Sequence, residues 1–146
     1  MAATLDEKTK EMLDAKNLPV IATVNEDGSP HSSILLVKRD GDILFFTTHV
    51  GRRTERNISR DPRVNLSLYD REDPYTSVEI RGLAEVLEVD GNPLADELTL
   101  KYLGELHDVD DNSRIAIRFV PQKVIHFPPP GTVPHALRDP NTVRPA

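Results

Sequence analysis

The chain has 146 residues, a formal net charge of −6 and no cysteine. That length suits a single domain, and the lack of cysteine excludes disulfides, thiolate catalysis and cysteine-based metal or iron–sulfur sites. An acidic balance argues against broad nucleic-acid binding, which needs a basic surface. The N-terminal segment is rich in charge and no apolar run reaches the roughly 20 residues of a membrane helix. We therefore expect a cytoplasmic protein without a signal peptide or a membrane span.

The first third of the chain predicts a short helix followed by three strands. Thr4 and Glu7 have the spacing of a capping box, and the helix is expected to end near Asn17. Asp40-Gly41 is a hairpin signal between the second and third strands. The predicted strands are residues 20–25, 31–39 and 42–48. Because the second and third strands carry apolar residues on both faces, we expect them to be central and covered on both sides.

The rest of the chain predicts a short exposed basic helix, two alternating strands, a helix and a final strand. Gly82 falls on the apolar face of its strand and indicates a bulge or a close backbone approach. Asn92 and Pro93 are typical of an N-cap and a first helical residue, and Pro121 divides the final strand into one or two segments. The basic helix is predicted at 51–62, the two strands at 64–70 and 77–89 with a loop at 71–75 between them, the second helix after 92, and the final strand at 114–127.

This element order predicts a mainly β protein. About six antiparallel strands joined by hairpins favour a small barrel with short helices at its ends. We assign residues 1–131 to this domain and residues 132–146 to a proline-rich C-terminal tail. Strands with two apolar faces also predict a homodimer, because a barrel of this size has only one interior and the outer face needs cover.

Residues 47–57, TTHVGRRTERN, are the most distinctive local feature. Two threonines end a strand, a glycine follows, and Arg52, Arg53 and Arg56 lie at the start of a helix. Helix N-termini present unpaired N–H groups, and arginine forks match phosphate oxygens, so the segment predicts a phosphate site. The alternative is an ordinary solvated helix face on which Arg52, Arg56 and Glu55 each pair with neighbouring residues.

No metal site is predicted. None of the five histidines forms a pair with the i, i+4 spacing of a helical site. His49 is of interest because it adjoins the predicted phosphate loop. The acidic residues Asp108, Asp110 and Asp111 lack the glycine and glutamate of a calcium loop and are interpreted as a solvated loop. Tyr75 is either an interface or ring-stacking residue, or a simple strand-edge aromatic.

Several motifs in the same order resemble the flavin-binding split-barrel superfamily of pyridoxamine 5′-phosphate oxidase. The similarity runs from about residue 5 to residue 131 and is greatest to the actinobacterial branch that uses the deazaflavin coenzyme F420. The motifs that carry it are SILLVK, DGDILFFTT, GRR, RNISRDPRV (56–64), YTSVEIRG (75–82), KYLG (101–104) and PPPG (128–131).

This resemblance implies a six-stranded split barrel that works as a homodimer with two cofactor sites at its interface. It implies three groups of cofactor-binding residues in each subunit. The strand residues along the ring system would be Ser33, Ile34, Leu35, Leu36, Val37 and Lys38. The residues near the ring and the phosphate-bearing chain would be Phe46, Thr47, Thr48, Arg52, Arg53 and Arg56. The residues that reach the site from the second subunit would be Tyr75 and Ser77.

The sequence departs from the family pattern in two places. Thr54 occupies a position where the deazaflavin branch often has lysine. The C-terminal PNTVRPA lacks the arginine-rich segment of the oxidases, so pyridoxamine phosphate oxidation itself is not expected. We therefore predict an F420-dependent oxidoreductase that transfers a hydride between the cofactor and a small organic substrate, with a proton from His49, Tyr75 or water. The alternatives are an FMN-binding oxidoreductase of the same family, or a non-enzymatic flavin or haem carrier.

Overall fold

The computed structural model describes residues 2–106 and 111–129, so the proline-rich tail, Asp108 and Asp110 lie outside the described residues. The described residues form three helices and one antiparallel sheet of seven strands in the order β2-β1-β5-β6-β7-β4-β3. None of these helices is both long and apolar enough to cross a bilayer. The elements are α1 (Glu7–Asp14), β1 (Val20–Val24), β2 (Pro30–Ile34), β3 (Lys38–Asp40), β4 (Ile43–His49), α2 (Arg53–Arg60), β5 (Arg63–Asp70), β6 (Asp73–Asp90), α3 (Asn92–Leu103) and β7 (Arg114–Phe127).

The two outermost strands of the sheet, β2 and β3, are consecutive in the chain. Only residues 35–37 join them, and the four steps from Ile34 to Lys38 can span about 14 Å at most. The sheet must therefore curl until its edges approach each other, without the hydrogen bonds that would close the ring. The prediction of one central strand over 31–39 is wrong: the segment divides into two edge strands, which gives seven strands instead of six.

The core lies on the concave side of the curled sheet. The predicted alternation of β5 is confirmed, since Val64, Leu66 and Leu68 are buried and the residues between them are half-buried or exposed. Phe46 of β4 and Phe119 of β7 have no exposed surface. These apolar side chains hold the two halves of the sheet together through burial.

The long strands β6 and β7 pair along most of their length. Their register shifts between Arg81 and Gly82, where Gly82 lies opposite Pro121. The close backbone approach predicted at Gly82 is confirmed, and β7 continues through Pro121 as one strand. The predicted loop at 71–75 is shorter than expected because β6 already begins at Asp73.

The caps of two helices differ from their predicted positions. The side chain of Asp6, two residues after Thr4, caps α1 by accepting from the backbone N–H of Thr9 at 3.4 Å and from its hydroxyl at 2.6 Å. Gly91 is the N-cap of α3, and Asn92 is its first residue. In both cases the N-cap lies within two residues of its predicted position.

The polar sequence of α2 predicts an exposed basic helix, but one face of the helix is buried. Thr54, Asn57 and Ile58 are buried at 6%, 2% and 3% exposure. The amide of Asn57 donates to Thr23 Oγ1 at 3.0 Å and to the side chain of Asn25 at 2.9 Å. A polar helix can pack here because its buried amide satisfies its hydrogen bonds on and next to β1.

Candidate functional site

A cleft of about 700 Å³ opens at the seam between the two sheet edges. That volume lies within the range of about 300–1,000 Å³ that small-molecule sites occupy. Its walls come from β2, the 35–37 link, the end of β4, the start of α2, one face of α3 and the start of β7. The lining residues are His31, Ser33, Ile34, Leu35, Leu36, Thr47, Thr48, His49, Gly51, Arg52, Arg53, Thr54, Arg56, Ala95, Leu98, Thr99 and Arg114.

The charged residues of this lining are all basic. It contains four arginines and no aspartate or glutamate, although the whole chain carries −6. The side chains of Arg52, Arg53 and Arg56 are exposed and form no ion pair or side-chain hydrogen bond with any residue in 2–106 or 111–129. Glu55, on the same helix, contacts the backbone N–H of Gly51 and the hydroxyl of Ser59. Hydrogen bonds from Ser29 lower the pKa of Asp27, and Arg53 lies close enough to that carboxyl to add to the effect. The arginines are therefore free of ion pairs within the described chain, and a phosphate site at this turn stays a prediction beside the solvated helix face.

The tight turn between β4 and α2 places these arginines at the cleft. Gly51 has a φ of +86°, in the left-handed region that favours glycine, and it connects β4 to α2. The backbone N–H of Arg52 donates to the carbonyl of His49 at 3.1 Å, and that of Val50 donates to Ser113 at 2.8 Å. The N-terminus of α2 thus faces the cleft with its partial positive charge.

Two polar atoms on the cleft wall are buried and have no hydrogen-bond partner among the described residues. They are the Oγ of Ser33 on β2 and the Nε of Arg114 at the start of β7. A buried polar group without a partner is costly, at roughly 1–3 kcal/mol. Both atoms therefore fit a site that is completed by a polar ligand.

Most of the predicted cofactor residues come together in this one cleft, although they are distant in the chain. The residues that line it are Ser33, Ile34, Leu35, Leu36, Thr47, Thr48, Arg52, Arg53 and Arg56. Thr54, at the position where the resemblance to the deazaflavin branch led us to expect lysine, also lines the cleft and is buried. The uncharged threonine leaves the positive charge of this turn to the arginines on either side.

The other predicted site residues lie away from the cleft. The side chains of Val37 and Phe46 are in the core, and Lys38 pairs with Glu97 of α3. Tyr75 and Ser77 are on β6 and do not line the cleft of their own chain. Tyr75 is nevertheless 48% exposed, which is compatible with either of its two interpretations.

Sequence reasoning missed two parts of the lining. Arg114 begins β7 and reaches the cleft only because β7 pairs with β4, where it lies opposite His49. One face of α3 adds Ala95, Leu98 and Thr99. No local signal could have identified these residues, because the fold alone brings them to the cleft.

His49 contacts other side chains through one of its ring nitrogens, Nδ1. Its Nδ1 lies 2.9 Å from the hydroxyl oxygen of Ser113 and 3.0 Å from Oδ2 of Asp111. Hydrogen bonds from the side chain and the backbone of Ser113, together with the nearby His49, lower the pKa of Asp111. No three metal-binding side chains cluster anywhere in the described part of the chain.

The motif at 56–64 is held mostly by contacts within the chain. Asn57 contacts β1, Arg60 donates to the carbonyl of Val24, and Asp61 pairs with Arg63 at 2.6 Å. Only Arg56 of this motif lines the cleft. The motif therefore positions α2, while the arginines that precede and begin it face the cleft.

The KYLG segment ends α3 and fixes the position of this helix, one face of which lines the cleft. The ammonium of Lys101 donates to the carbonyl oxygens of Leu13 and Val37, at 2.5 and 2.8 Å. Burial lowers the pKa of Lys101 to about 8. Tyr102 donates from its hydroxyl to the carbonyl of Asn17 at 2.7 Å. Lys101 thus ties α3 to α1 and to the 35–37 link.

Three solved structures illustrate what this fold resembles. An F420 reductase is 29% identical, with a TM-score of 0.76 over 83% of this chain and 98% of that chain. A conserved hypothetical protein from Mycobacterium tuberculosis is 24% identical, with a TM-score of 0.70 over 86% and 85% of the two chains. General stress protein 26 from Bacillus anthracis is 22% identical, with a TM-score of 0.68 over 84% and 93%. The last two similarities concern the fold alone.

The match to a family model, and not the similarity to individual structures, assigns the chain to a family. No protein of curated function matches the chain. The family model described as pyridoxamine 5′-phosphate oxidase matches residues 5–128, which include every strand and the whole cleft lining. The chain belongs to the pyridoxamine 5′-phosphate oxidase family.

Proposed function

We propose that this protein is an oxidoreductase that uses the deazaflavin coenzyme F420, transferring a hydride to or from a small organic substrate. The observation that carries the proposal is the cleft of about 700 Å³ with four arginines and no carboxylate. Such a lining suits a ring system that bears phosphate. The bound cofactor would supply the redox chemistry, and the protein would orient and shield it.

The cleft divides into regions that suit the two ends of such a cofactor. Arg52, Arg53 and Arg56, with the N-terminus of α2, would bind the phosphate and the acidic tail. Ser33 and Thr47, beside the apolar Leu35 and Leu36, would contact the ring. The unpartnered Oγ of Ser33 and Nε of Arg114 would gain partners from the ligand.

The choice of F420 over FMN is supported by two observations. One is the similarity to a structure named as an F420 reductase, at 29% identity. The other is the row of three exposed arginines that form no ion pair or side-chain hydrogen bond among the described residues. F420 carries a phospholactyl-polyglutamate tail, whereas FMN carries a single phosphate, so a row of free positive charges favours F420. FMN remains the alternative cofactor, in keeping with the family, and a flavin or haem carrier without catalysis is the alternative activity.

A homodimer is part of the proposal. A second cavity of about 380 Å³ on the convex side of the sheet has a mainly apolar lining that includes Ala22, Val24 and Leu83. The Oδ1 of Asn65, in the same lining, is buried without a partner among the described residues. A second copy would cover this face, and Tyr75 and Ser77 would then reach the cofactor of the partner. A cytoplasmic location and the lack of a nucleic-acid partner stay predictions from the sequence.

Titration of the purified protein with both cofactors tests the proposal. We expect F420 to bind more tightly than FMN at low salt, and its affinity to fall more steeply as salt shortens the screening length from about 10 Å at 0.1 M to about 3 Å at 1 M. Tighter binding of FMN, or FMN retained through purification at one per chain, would replace F420 by FMN. Binding without turnover of any reducible acceptor would favour the carrier.

A further inference from the structure

His49 presents only one of its two ring nitrogens to the protein. Its Nδ1 contacts Ser113 and Asp111 at 2.9 and 3.0 Å. Its Nε2 forms no hydrogen bond with any residue the structure describes. Because His49 lines the cleft, one edge of the ring is held by the protein and the other is available to a ligand.

The contacts of Nδ1 determine where the imidazole carries its proton. The hydroxyl of Ser113 donates to Oδ1 of Asp111 at 2.6 Å, so its oxygen can only accept from His49. The carboxylate of Asp111 is also an acceptor, and the low pKa of Asp111 keeps it ionised. With two acceptors facing it, Nδ1 must be the donor. The neutral ring is then the Nδ1–H tautomer, whose Nε2 can take up a proton and later release it.

Three elements hold this arrangement in place. The side-chain amide of Asn92, at the start of α3, donates to the carbonyl of Asp111 and accepts from its N–H, each at 3.2 Å. His49 pairs with Arg114 across β4 and β7. The backbones that carry His49 and Asp111 are therefore both held in place, and the contact between the imidazole and the carboxylate is made by their partly buried side chains.

We propose that His49 is the proton donor and acceptor of the reaction, with Asp111 as its positioning residue; this rests on the proposed function. Reduction of a conjugated carbonyl adds a hydride to carbon, supplied by the reduced deazaflavin or flavin, and leaves an enolate. The Nε2–H bond of the His49 imidazolium then breaks, and its proton goes to the enolate. The neutral imidazole regains a proton from water, and the oxidised cofactor accounts for the two electrons.

The other candidate donors have weaker geometry. His31 also lines the cleft, but no carboxylate and no hydrogen-bond partner among the described residues orients its ring. Tyr75 does not line the cleft of its own chain, so it could act only across the proposed dimer interface. Among the described residues that line the cleft within one chain, His49 is the histidine whose tautomer is fixed by its contacts.

The first test uses the ligand-free full chain and needs no turnover. Nitrogen-15 NMR of the histidine rings should show neutral His49 as the Nδ1–H tautomer. The double variant D111A/S113A removes both acceptors and should shift His49 toward the Nε2–H tautomer. An Nε2–H ring in the unmodified chain would overturn the proposal.

The second test compares two hydride acceptors with the cofactor-loaded protein. Cyclohexenone needs a proton after the hydride, whereas the cation N-methylacridinium becomes neutral by taking the hydride alone. After subtraction of the uncatalysed rates, H49Q should slow cyclohexenone reduction at least 100-fold, within the usual 10²–10⁴-fold contribution of such catalysis. The acridinium rate should not change. The control H126Q, which removes the histidine of the His126–Asp6 pair outside the cleft, should leave both rates unchanged.

The outcomes separate this inference from the proposed function. Equal effects of H49Q on both acceptors, or no effect on either, would overturn the role of His49 and leave the oxidoreductase standing. If the unmodified chain reduces the acridinium but not cyclohexenone, the role of His49 is likewise overturned and the oxidoreductase stands. If the unmodified chain reduces neither acceptor, the proposed function fails and the proton role fails with it.

Discussion

Gly82 on β6 faces the backbone of Val120 on β7 so closely that a Cβ atom on Gly82 would lie 2.1 Å from the carbonyl oxygen of Val120. The same Cβ would also lie 3.0 Å from the Cα of Pro121. Both obstacles are backbone atoms in the middle of the sheet, so neither can move without shifting a strand. Glycine is required here by space, and not by a special backbone angle.

We therefore expect Gly82→Ala to be strongly destabilising. Overpacking a close contact costs roughly 1–3 kcal/mol, and we expect at least about 2 kcal/mol because the obstacle is backbone. Urea unfolding measures this change. Glu88→Ala, an exposed position on the same strand, should change the free energy of unfolding by less than about 0.5 kcal/mol. Equal stability of the two variants would contradict the close approach.

Replacing Arg52 and Arg53 together with alanine should weaken cofactor binding at least tenfold, which corresponds to about 1.4 kcal/mol. Hydrogen bonds to charged groups contribute roughly 1.5–3 kcal/mol each, and solvent reduces this for exposed arginines. The matched control is K16A/R71A, which removes two exposed charges that do not line the cleft. Isothermal titration should show normal affinity for the control. Unchanged affinity in R52A/R53A would remove the phosphate role from α2.

Lys101→Met should lower the free energy of unfolding by roughly 1–3 kcal/mol, because the carbonyls of Leu13 and Val37 lose their donor. Lys16→Met, at an exposed lysine, should have little effect. The stability difference between the unmodified chain and K101M should also depend on pH. Burial lowers the pKa of Lys101 from 10.5 to about 8 in the folded chain, so between these values the unfolded chain binds more protons. The difference should therefore grow as the pH rises from about 8 to 10.5. A flat difference would contradict the burial of a charged Lys101.

Light scattering at micromolar concentration should give twice the mass of one chain. Leu83→Arg places a positive charge in the lining of the convex-face cavity, opposite Arg63 and near Arg81, and we expect it to raise the dimer dissociation constant at least 100-fold, because burying an unpaired charge costs several kcal/mol. Val89→Arg adds the same charge at a 54% exposed position of the same strand that does not line that cavity. It should remain dimeric. A monomeric mass for the unmodified chain would remove the interface from the proposal.

The sequence pattern predicts the parts of the fold that depend on local alternation. The faces of β5 and the close approach at Gly82 are confirmed, because alternation within a strand sets its two faces and a glycine on the buried face leaves room for a neighbouring strand. The same reasoning failed for residues 31–39, where apolar residues on both faces suggested one central strand. Ile34 is 64% exposed at one edge of the sheet and Val37 is buried at the turn to the other edge. An edge cannot be distinguished from a centre without knowing which strands pair.

The candidate site could be predicted only in part, for a related reason. The cluster of Arg52, Arg53 and Arg56 is contiguous in the chain, and its composition alone indicates an anion site. Arg114 and Asp111 join it from a segment more than fifty residues later, through the pairing of β4 with β7. Their role depends on tertiary contacts, and Asp111 by itself is typical of an ordinary polar loop.

The short link at residues 35–37 also bears on the order of folding. β3 pairs only with β4, through three residue pairs, and β4 is held in turn by β7, far along the chain. Contacts between distant segments form late because the entropy of closing the intervening loop must be overcome first. The edge strand β3, which follows the link that lines the cleft, is therefore among the last parts of the sheet to assemble and among the first to open locally. Amide exchange should be faster at Lys38–Asp40 than in the paired centres of β6 and β7.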